Sequence, residues 1–404
     1  MWIRPLSPLT LLTMRRLFCA LFLAAVGLAL PAASAQTVVD VQSTCDTAGD
    51  TDCQTTPRSV FRVDDSGGIV ALGEITQGQI PATGVGWRMM WHPQKVAFRA
   101  GYADADGQMD EANIGYYSWA GGALNTAAGN YSFAMGNQNT VEASAQCGIA
   151  LGSGNFIYGR PGAIGTCGVA LGLNNDIKDQ AGVAIGQNAH SDGDVAVAIG
   201  YSVTADADYS LAMGYRASTN GHTGARVFGD ASTTDSIEAV ANNEFAVRAA
   251  GGYRFRTNAT LTTGCNLPAG SGVFSCSSSR LLKENFAEID GTDLLARIRA
   301  LPIETWNYTA EGATVRHMGP YAEDFRAAFG LGTDDVSIGH FDISGVALAG
   351  VQALETRTAD LQAENETLAA ENAALREGLG ALEARLAALE ARLTKPAADD
   401  GGVK

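Results

Sequence analysis

The middle of the chain repeats a five-residue core that ends in glycine. Its eight copies alternate a small residue with a larger apolar one, and the closing glycines follow one another at steps of 14, 16, 20, 14, 14, 14 and 15 residues. A short, nearly fixed period of this kind predicts a solenoid. The copies are Ser118–Gly122, Ser132–Gly136, Gly148–Gly152, Gly168–Gly172, Gly182–Gly186, Ala196–Gly200, Ser210–Gly214 and Ala225–Gly229.

The alternation within each core has the period of a β-strand rather than that of a helix. One face of the strand carries alanine, serine or glycine, and the other carries valine, isoleucine, leucine, methionine or phenylalanine. A strand that is apolar on both faces has to be covered on both. A coil of about 14 residues covers only one face by itself, so the other face is expected to pack against further copies of the chain.

Residues 1–35 have the layout of an export signal. Arg15 and Arg16 precede the apolar run Leu17–Leu30, and small residues precede Gln36. The run is shorter than the ~20 apolar residues that a membrane-spanning helix needs, which favours cleavage over an N-terminal anchor. We predict an exported mature chain with no membrane span, either secreted or held at the surface of a bacterium.

The net charge of the mature chain excludes some classes of binding partner. Removal of the three arginines in the signal changes the formal charge from −16 to −19, which argues against nucleic acid or an anionic membrane as a partner. The loop Asp104–Asp110 faintly resembles a calcium loop but lacks its last glutamate, so a solvated turn is favoured. No cofactor and no metal site are predicted.

Six cysteines remain in the mature chain, and an even number in an exported protein predicts disulfides. Cys147 and Cys167 each stand one residue before a repeat core, in consecutive repeats. Stacked strands lie ~4.8 Å apart, which is close enough for a bridge. The alternative is two stacked free thiols. The predicted pairs are Cys45–Cys53, Cys147–Cys167 and Cys265–Cys276.

The repeats, over roughly residues 113–230, resemble the heads of trimeric autotransporter adhesins; a generic strand region rich in glycine and alanine is the alternative. The resemblance implies a mainly β, homotrimeric fold built on a left-handed β-roll of ~14-residue turns. Residues 36–112 are expected to be a short β cap over the first turn, because terminal repeats need capping, with a recognition surface as the alternative. Residues 231–276 are expected to be a β connector. Residues 395–404 are expected to be a disordered tail. A cell-surface or glycan receptor is a candidate partner besides the chain itself.

The segment Ser278–Phe286 reads Ser-Ser-Arg-Leu-Leu-Lys-Glu-Asn-Phe. It resembles the self-cleaving intramolecular chaperone at the end of endosialidases, tailspikes and tail fibres of phages, whose motif is Ser-Asp-x-x-x-Lys-x-Asn. A later aromatic block of that family is matched by Trp306–Tyr308 and Met318–Phe325. This chain departs from the family at Ser279, where the motif has aspartate, and at Glu323, where it has glutamine.

The resemblance implies a small α+β domain, over residues 277–350, that cuts the chain between Ser277 and Ser278. Ser278 is the expected nucleophile and Lys283 the expected base, a serine–lysine dyad. Asn285 and His317 are candidate supporting residues, with a turn cap as the favoured role for His317.

A lysine amine is protonated at neutral pH, so it acts as a base only where burial favours its neutral form. Leu281, Leu282 and Phe286 are expected to supply an apolar wall around the lysine in a trimer interface. Cleavage would then depend on correct assembly.

Residues 351–394 predict a parallel coiled coil. Leucines recur every seven residues from Leu354 to Leu389, and a second set of core positions runs from Val351 to Leu393. Asn365 and Asn372 occupy core positions and fix the register. Asparagine there is better known from dimers, but the two-faced solenoid strands favour a trimer.

The sequence therefore predicts a secreted, trimeric, adhesin-like fibre protein that releases its own C-terminal chaperone in a single turnover. An adhesin that is never processed is one alternative. A glycan-degrading enzyme is another, although no pair of carboxylates stands out to support it.

Overall fold

The structure is a computed structural model that describes residues 37–43, 58–65, 67–72, 79–159 and 167–394. The predicted signal peptide, the predicted Cys45–Cys53 bridge and the predicted tail lie outside the described residues. The chain divides into two compact units, residues 1–277 and 278–404.

The first unit begins with two small antiparallel arrangements. Strands β1 (Thr37–Ser43), β2 (Arg58–Asp64) and β3 (Ile69–Ala71) form a sheet of their own. Strands β4 (Gly86–His92) and β5 (Ala97–Ala103) form a hairpin, and β5 pairs in parallel with the first strand of the solenoid. The hairpin therefore extends the solenoid sheet at its N-terminal end.

The repeats form a solenoid of eight turns, which confirms the mainly β solenoid predicted from the sequence. Each turn contributes one longer strand to an 11-stranded sheet and one two-residue strand to an 8-stranded sheet. Neighbouring solenoid strands pair in parallel and in register, so that each core position stacks on the same position of the next turn. The strands are β6 (Trp119–Ala123), β7 (Thr126–Ala127), β8 (Phe133–Asn137), β9 (Thr140–Val141), β10 (Ile149–Ser153), β11 (Phe156–Ile157), β12 (Val169–Leu173), β13 (Asp176–Ile177), β14 (Val183–Gln187), β15 (His190–Ser191), β16 (Val197–Tyr201), β17 (Thr204–Ala205), β18 (Leu211–Tyr215), β19 (Ala217–Ser218), β20 (Arg226–Gly229), β21 (Ile237–Glu238) and β22 (Phe245–Val247).

The longer strands turn small side chains toward the interior of the solenoid, where they share the core with larger side chains of the short strands such as Ile157 and Ile177. The alanines at the centre of the longer strands, such as Ala134, Ala150 and Ala170, stack on one another and are fully buried. The larger side chains point outward, where Trp119 and Met135 remain 47% and 42% exposed in the single chain. The outer face of this sheet is therefore an exposed apolar surface.

The glycine that closes each core is required by the close approach of consecutive turns. Gly152 has a φ of 122°, in a region that favours glycine. A Cβ atom at this position would lie 2.0 Å from the carbonyl oxygen of Gly172 in the next turn. Any side chain here would force the two turns apart.

A ladder of buried asparagines, which the sequence analysis did not predict, runs along the inside of one corner. Asn125, Asn139, Asn155 and Asn175 occupy equivalent positions in four successive turns and are at most 1% exposed. Each of the last three donates a side-chain N–H to the side-chain oxygen of the preceding asparagine at 2.8 Å. The ladder ends at Ala189, whose backbone N–H donates to the side-chain oxygen of Asn175 at 3.0 Å.

A buried arginine closes the N-terminal end of the solenoid core. Arg99 on β5 pairs with Ala120, at the level of the alanine stack, and is fully buried. Its guanidinium donates to the carbonyl and hydroxyl oxygens of Ser118 and to the carbonyl of Ala127. Burial lowers the pKa of Arg99 to about 10.

An ion pair lies near the C-terminal end of the solenoid. Arg248 donates through Nε to Asp230 at 2.9 Å. Asp230 also accepts hydrogen bonds from the hydroxyl of Ser232 and the backbone N–H of Ala250. The hydroxyl of Ser232, the N–H of Ala250 and the guanidinium of Arg248 together hold the pKa of Asp230 well below its usual range.

The first unit ends in a small antiparallel sheet of β23 (Gly252–Arg256), β24 (Gly264–Pro268) and β25 (Ser275–Cys276). A disulfide joins Cys265 on β24 to Cys276 on β25. The other disulfide in the described residues joins Cys147 to Cys167 in consecutive turns of the solenoid.

The second unit is a small α+β arrangement followed by a long helix. Its elements are α1 (Gly291–Ala300), β26 (Glu304–Trp306), β27 (His317–Gly319), α2 (Ala322–Phe329) and α3 (His340–Leu393). β26 and β27 pair as an antiparallel hairpin, and α1 packs on α2 and α3.

Helix α3 begins at His340, before the predicted start of the coiled coil at Val351. The first turns of α3 lie outside the heptad pattern. Their packing against α1 stabilises them as helix. Gly350 is the point of close approach, since a Cβ there would lie 2.8 Å from the Cδ1 of Ile298. Among the described residues, no helix combines the length and apolar character that crossing a membrane requires.

Candidate functional site

The two residues predicted to form a dyad lie in contact at the start of the second unit. Lys283 donates from its Nζ to the Oγ of Ser278 at 2.8 Å. Ser278 is the first residue of that unit. The structure thus brings together the hydroxyl and the amine that the motif singled out.

A short 3-10 turn, Arg280–Leu282, accounts for the five-residue spacing of the pair. The hydroxyl of Ser279 accepts a hydrogen bond from the backbone N–H of Leu281 at 3.3 Å and so caps this turn. The N–H of Lys283 closes it by donating to the carbonyl of Arg280 at 3.1 Å. Serine and aspartate are both good caps, so a serine at this position keeps a side-chain oxygen that can cap the turn.

Asn285 supports the loop through its backbone. Its φ of 56° lies in the left-handed region, which asparagine tolerates better than most residues. The chain is redirected here, and the guanidinium of Arg280 lies 4.2 Å from the ring centroid of Phe286. The loop from Ser278 to Phe286 is therefore organised by its own local contacts.

The apolar residues of this loop are exposed in the single chain. Leu281 is 94% exposed, Leu282 45% and Phe286 57%, and both members of the pair are exposed as well. The wall that these residues were expected to form around Lys283 is not formed by this loop alone. Desolvation of the amine requires a further surface that covers it.

His317 belongs to the hairpin of β26 and β27. Its Nε2 lies 2.9 Å from an oxygen of Glu311, and its ring centroid lies 4.8 Å from that of Trp306 and 5.7 Å from that of Tyr308. Within the described residues its hydrogen bond is with Glu311 and not with either member of the pair. This placement favours a structural role in the hairpin.

Glu323, the second departure from the family pattern, lies in the first turn of α2. A negative charge is stabilising at the N-terminus of a helix, so this exchange fits its position. Just before the helix, the hydroxyl of Tyr321 donates to Glu304 at 2.7 Å, and this hydrogen bond raises the pKa of Tyr321.

Ser277, on the carbonyl side of the predicted scissile bond, is held within the first unit. Its backbone N–H donates to the carbonyl of Gly264 at 2.8 Å. Its hydroxyl lies 3.0 Å from the carbonyl oxygens of Thr262 and Gly264. The sequence offered no signal for this role, because Ser277 stands in a dense run of serines.

A cleft of 440 Å³ lies between α1 and the first turns of α3. Its apolar lining includes Leu294, Phe329 and Phe341, and its rim carries Asp290 and Asp293. Neither Ser278 nor Lys283 lines it.

The loop at Asp104 has the organisation of a turn. Asp104 accepts hydrogen bonds from the backbone N–H of Asp106 at 2.9 Å and from the side chain of Gln108 at 2.6 Å, which lower its pKa. In the part of the chain that the structure describes, no cluster of histidine, cysteine or acidic residues has an arrangement suited to a metal ion.

Residues 278–331 match the family described as the chaperone of endosialidase. The match begins at Ser278 and covers the loop, α1, the hairpin and α2. It confirms the resemblance of the C-terminal domain to this family, whose members are peptidases that cleave themselves. No comparison bears on the resemblance of the repeats to adhesin heads. No curated protein and no solved structure matches the chain.

Proposed function

We propose that this chain is the subunit of an exported homotrimeric fibre whose second unit assembles the trimer and is then released by self-cleavage before Ser278. The observation that carries the proposal is the 2.8 Å contact between Lys283 and Ser278 at the first residue of the family match. The family match supports the assembly role, and the contact supplies a chemical means of release.

The cleavage is an acyl shift followed by hydrolysis. The Oγ of Ser278 attacks the carbonyl carbon of Ser277 while the neutral amine of Lys283 accepts the hydroxyl proton. The carbon–nitrogen bond then breaks, and the ammonium returns the proton to the departing nitrogen of Ser278. An ester now joins Ser277 to the Oγ of Ser278. Water hydrolyses it, leaving a carboxylate on Ser277 and a free amino group and hydroxyl on Ser278.

Assembly of the trimer supplies the exclusion of water from the amine of Lys283 that the single chain lacks. A lysine amine that is surrounded by water is protonated at neutral pH and cannot act as a base. When a neighbouring copy covers Leu281, Leu282 and Phe286, water is excluded and the neutral amine is favoured. Cleavage then follows trimer formation rather than preceding it.

Two exposed apolar surfaces support self-association. The outer face of the solenoid sheet is one. The leucine seam of α3 is the other, since Leu354, Leu361 and Leu368 are 51%, 47% and 46% exposed. Full burial of one leucine stabilises an assembly by about 1.5–3 kcal/mol, so a seam of this length is a strong driving force for a parallel coiled coil.

The disulfides Cys147–Cys167 and Cys265–Cys276 support export. Such bonds persist in oxidising compartments and are rare in the cytosol of most organisms. They fit a mature protein that is secreted or held at the surface of a bacterium.

N-terminal sequencing of the smaller fragment of the purified protein tests the proposal. We expect a fragment that begins at Ser278 and a larger one that ends at Ser277. The variants Ser278→Ala and Lys283→Ala should remain intact while still forming trimers. Lys283→Arg is the matched control, because it keeps the positive charge and the hydrogen-bond donor but cannot lose its proton.

Three results would contradict parts of this proposal. A fragment that begins at Ser277 or Ser279 would show that the nucleophile is wrong. A wild-type trimer that stays full-length for days would indicate an unprocessed adhesin. Cleavage in Lys283→Arg at the wild-type rate would exclude the lysine as the base.

A further inference from the structure

The residue that carries the scissile carbonyl, Ser277, directly follows a strand that is too short to be stable by itself. β25 has two residues, and two residue pairs join it to β24. Ser277 follows β25 directly and adds its own hydrogen bonds to Thr262 and Gly264. A strand this short at the edge of a small sheet opens easily on its own.

A covalent bond secures this strand next to the scissile bond. The disulfide Cys265–Cys276 joins directly opposed residues of β24 and β25, and Cys276 is the immediate neighbour of Ser277. β24 is in turn paired with β23 over five residues. The disulfide therefore fixes the backbone of Ser277 to the more extended part of the sheet.

The rate of cleavage depends more on the geometry at the attacked carbonyl than on the overall stability of the unit. Attack of a hydroxyl on the preceding carbonyl requires that carbon to lie within reach and in line, and a displacement of about 1 Å can slow a reaction by about 100-fold. The hydroxyl of Ser277 and the disulfide both restrain the residue that carries this carbon.

We propose that the hydroxyl of Ser277 and the disulfide Cys265–Cys276 position the scissile carbonyl, so that the chain is cut efficiently only after this disulfide has formed. The inference rests on the proposed self-cleavage. In forming the disulfide, the two thiols give up two protons and two electrons to a disulfide oxidant, which is reduced to two thiols. Processing is thereby coupled to arrival in an oxidising compartment.

The second disulfide provides a matched control. Cys147–Cys167 also lies in the first unit, but it joins consecutive turns of the solenoid just before the strands β10 and β12. Loss of either bridge removes a covalent link of the same kind. A general effect on stability would therefore be shared by both, whereas an effect of position belongs to Cys265–Cys276 alone.

The test uses full-length protein purified without oxidation and measures the rate constant of cleavage after addition of oxidised glutathione or of dithiothreitol. We expect wild-type trimers to be cut about 10-fold to 100-fold faster after oxidation. The double variant Cys147→Ser/Cys167→Ser should keep this difference. The double variant Cys265→Ser/Cys276→Ser should be slow under both conditions, with the same trimer content by light scattering.

The hydroxyl is tested in the same assay. Ser277→Ala should be cut more slowly than wild type, and Ser277→Thr, which restores a hydroxyl, should recover most of the rate. A merely structural role would lower the trimer content and not the rate constant of the trimers that remain.

The outcomes separate this inference from the function on which it rests. Equal rates for wild-type trimers under oxidising and reducing conditions would overturn the inference and leave self-cleavage standing. An equal loss in both cysteine double variants would also overturn it, because it would point to stability alone. Absence of cleavage in oxidised wild-type trimers would overturn both.

Discussion

Replacement of Asn155 by alanine tests how strongly the buried asparagine ladder joins the turns of the solenoid. Asn155 is fully buried. Its amide nitrogen donates to the side-chain oxygen of Asn139 at 2.8 Å, to the carbonyl of Leu151 at 3.0 Å and to that of Gly172 at 2.9 Å. Its oxygen accepts from the backbone N–H of Asn175 at 3.1 Å and from the side chain of that residue at 2.8 Å.

Asn155→Ala removes all of these bonds at once. An amide has two N–H groups and one carbonyl with two acceptor positions, so about four hydrogen bonds are lost, at about 1 kcal/mol each. The backbone N–H of Asn175 also loses its acceptor in the dry interior, which acts in the same direction. We expect the free energy of unfolding to fall by about 4 kcal/mol per chain.

Asn137→Ala is the matched control in the same solenoid. Asn137 is exposed, and its hydrogen bonds reach other exposed side chains at 3.4 and 3.5 Å. Its loss should change the free energy of unfolding by less than about 0.5 kcal/mol.

The measurement is equilibrium unfolding in guanidinium chloride, followed by circular dichroism at a fixed protein concentration. A similar midpoint for Asn155→Ala and Asn137→Ala would refute the reasoning. That outcome has physical content, because Ala189 already occupies the ladder position in the natural sequence. It would mean that the turns close up around an alanine wherever one is introduced.

Four further predictions follow from other parts of the chain. Arg99→Ala should lower the free energy of unfolding by about 3 kcal/mol or more, because buried carbonyls lose a charged donor; thermal unfolding measures this, and a change under 0.5 kcal/mol would contradict it. Asp230 has a lowered pKa in the folded state, so its contribution to stability is full above the pKa of the unfolded chain, ~4, and is lost as the pH falls from there through the lowered folded-state pKa. The melting temperature should therefore fall less steeply between pH 5 and pH 2 in Asp230→Asn than in the wild type. Deletion of residues 351–404 before folding should give aggregate, and a soluble monodisperse monomer by light scattering would count against the role of the helix. Peptide mapping without reduction should recover Cys147 linked to Cys167, and any other partner would exclude the stacked arrangement.

Much of the solenoid could be predicted because the residue types in each repeated core indicate which of its side chains are buried. The alternation of alanine with larger apolar residues gave the longer strands, and the closing glycine gave the period. The two-residue strands such as Thr126–Ala127 were missed, because two residues cannot show a periodicity. Asn155 was missed for a related reason, since a single asparagine beside a corner is equally typical of an exposed turn.

The candidate site also combines features that the sequence predicted with features that it did not. The spacing of Ser278 and Lys283, together with the flanking motif, predicted a pair that the structure does bring into contact. The cap supplied by Ser279 and the hydrogen bonds of Ser277 could not be predicted, because neighbouring serines carry identical local patterns. What distinguishes them is which unit each one belongs to, and that is a property of the three-dimensional fold.

The disulfide between consecutive turns also has a mechanical consequence. A solenoid that is pulled from its two ends unravels turn by turn, because each turn is held to the next by its strand pairs in the two sheets. Cys147 and Cys167 are 20 residues apart, and the bond between them removes that length from the extensible chain. At ~3.5 Å per residue, about 70 Å of extension is withheld while the bond is intact. Under tension, unravelling that reaches these two turns should stop there until a reductant cuts the bond.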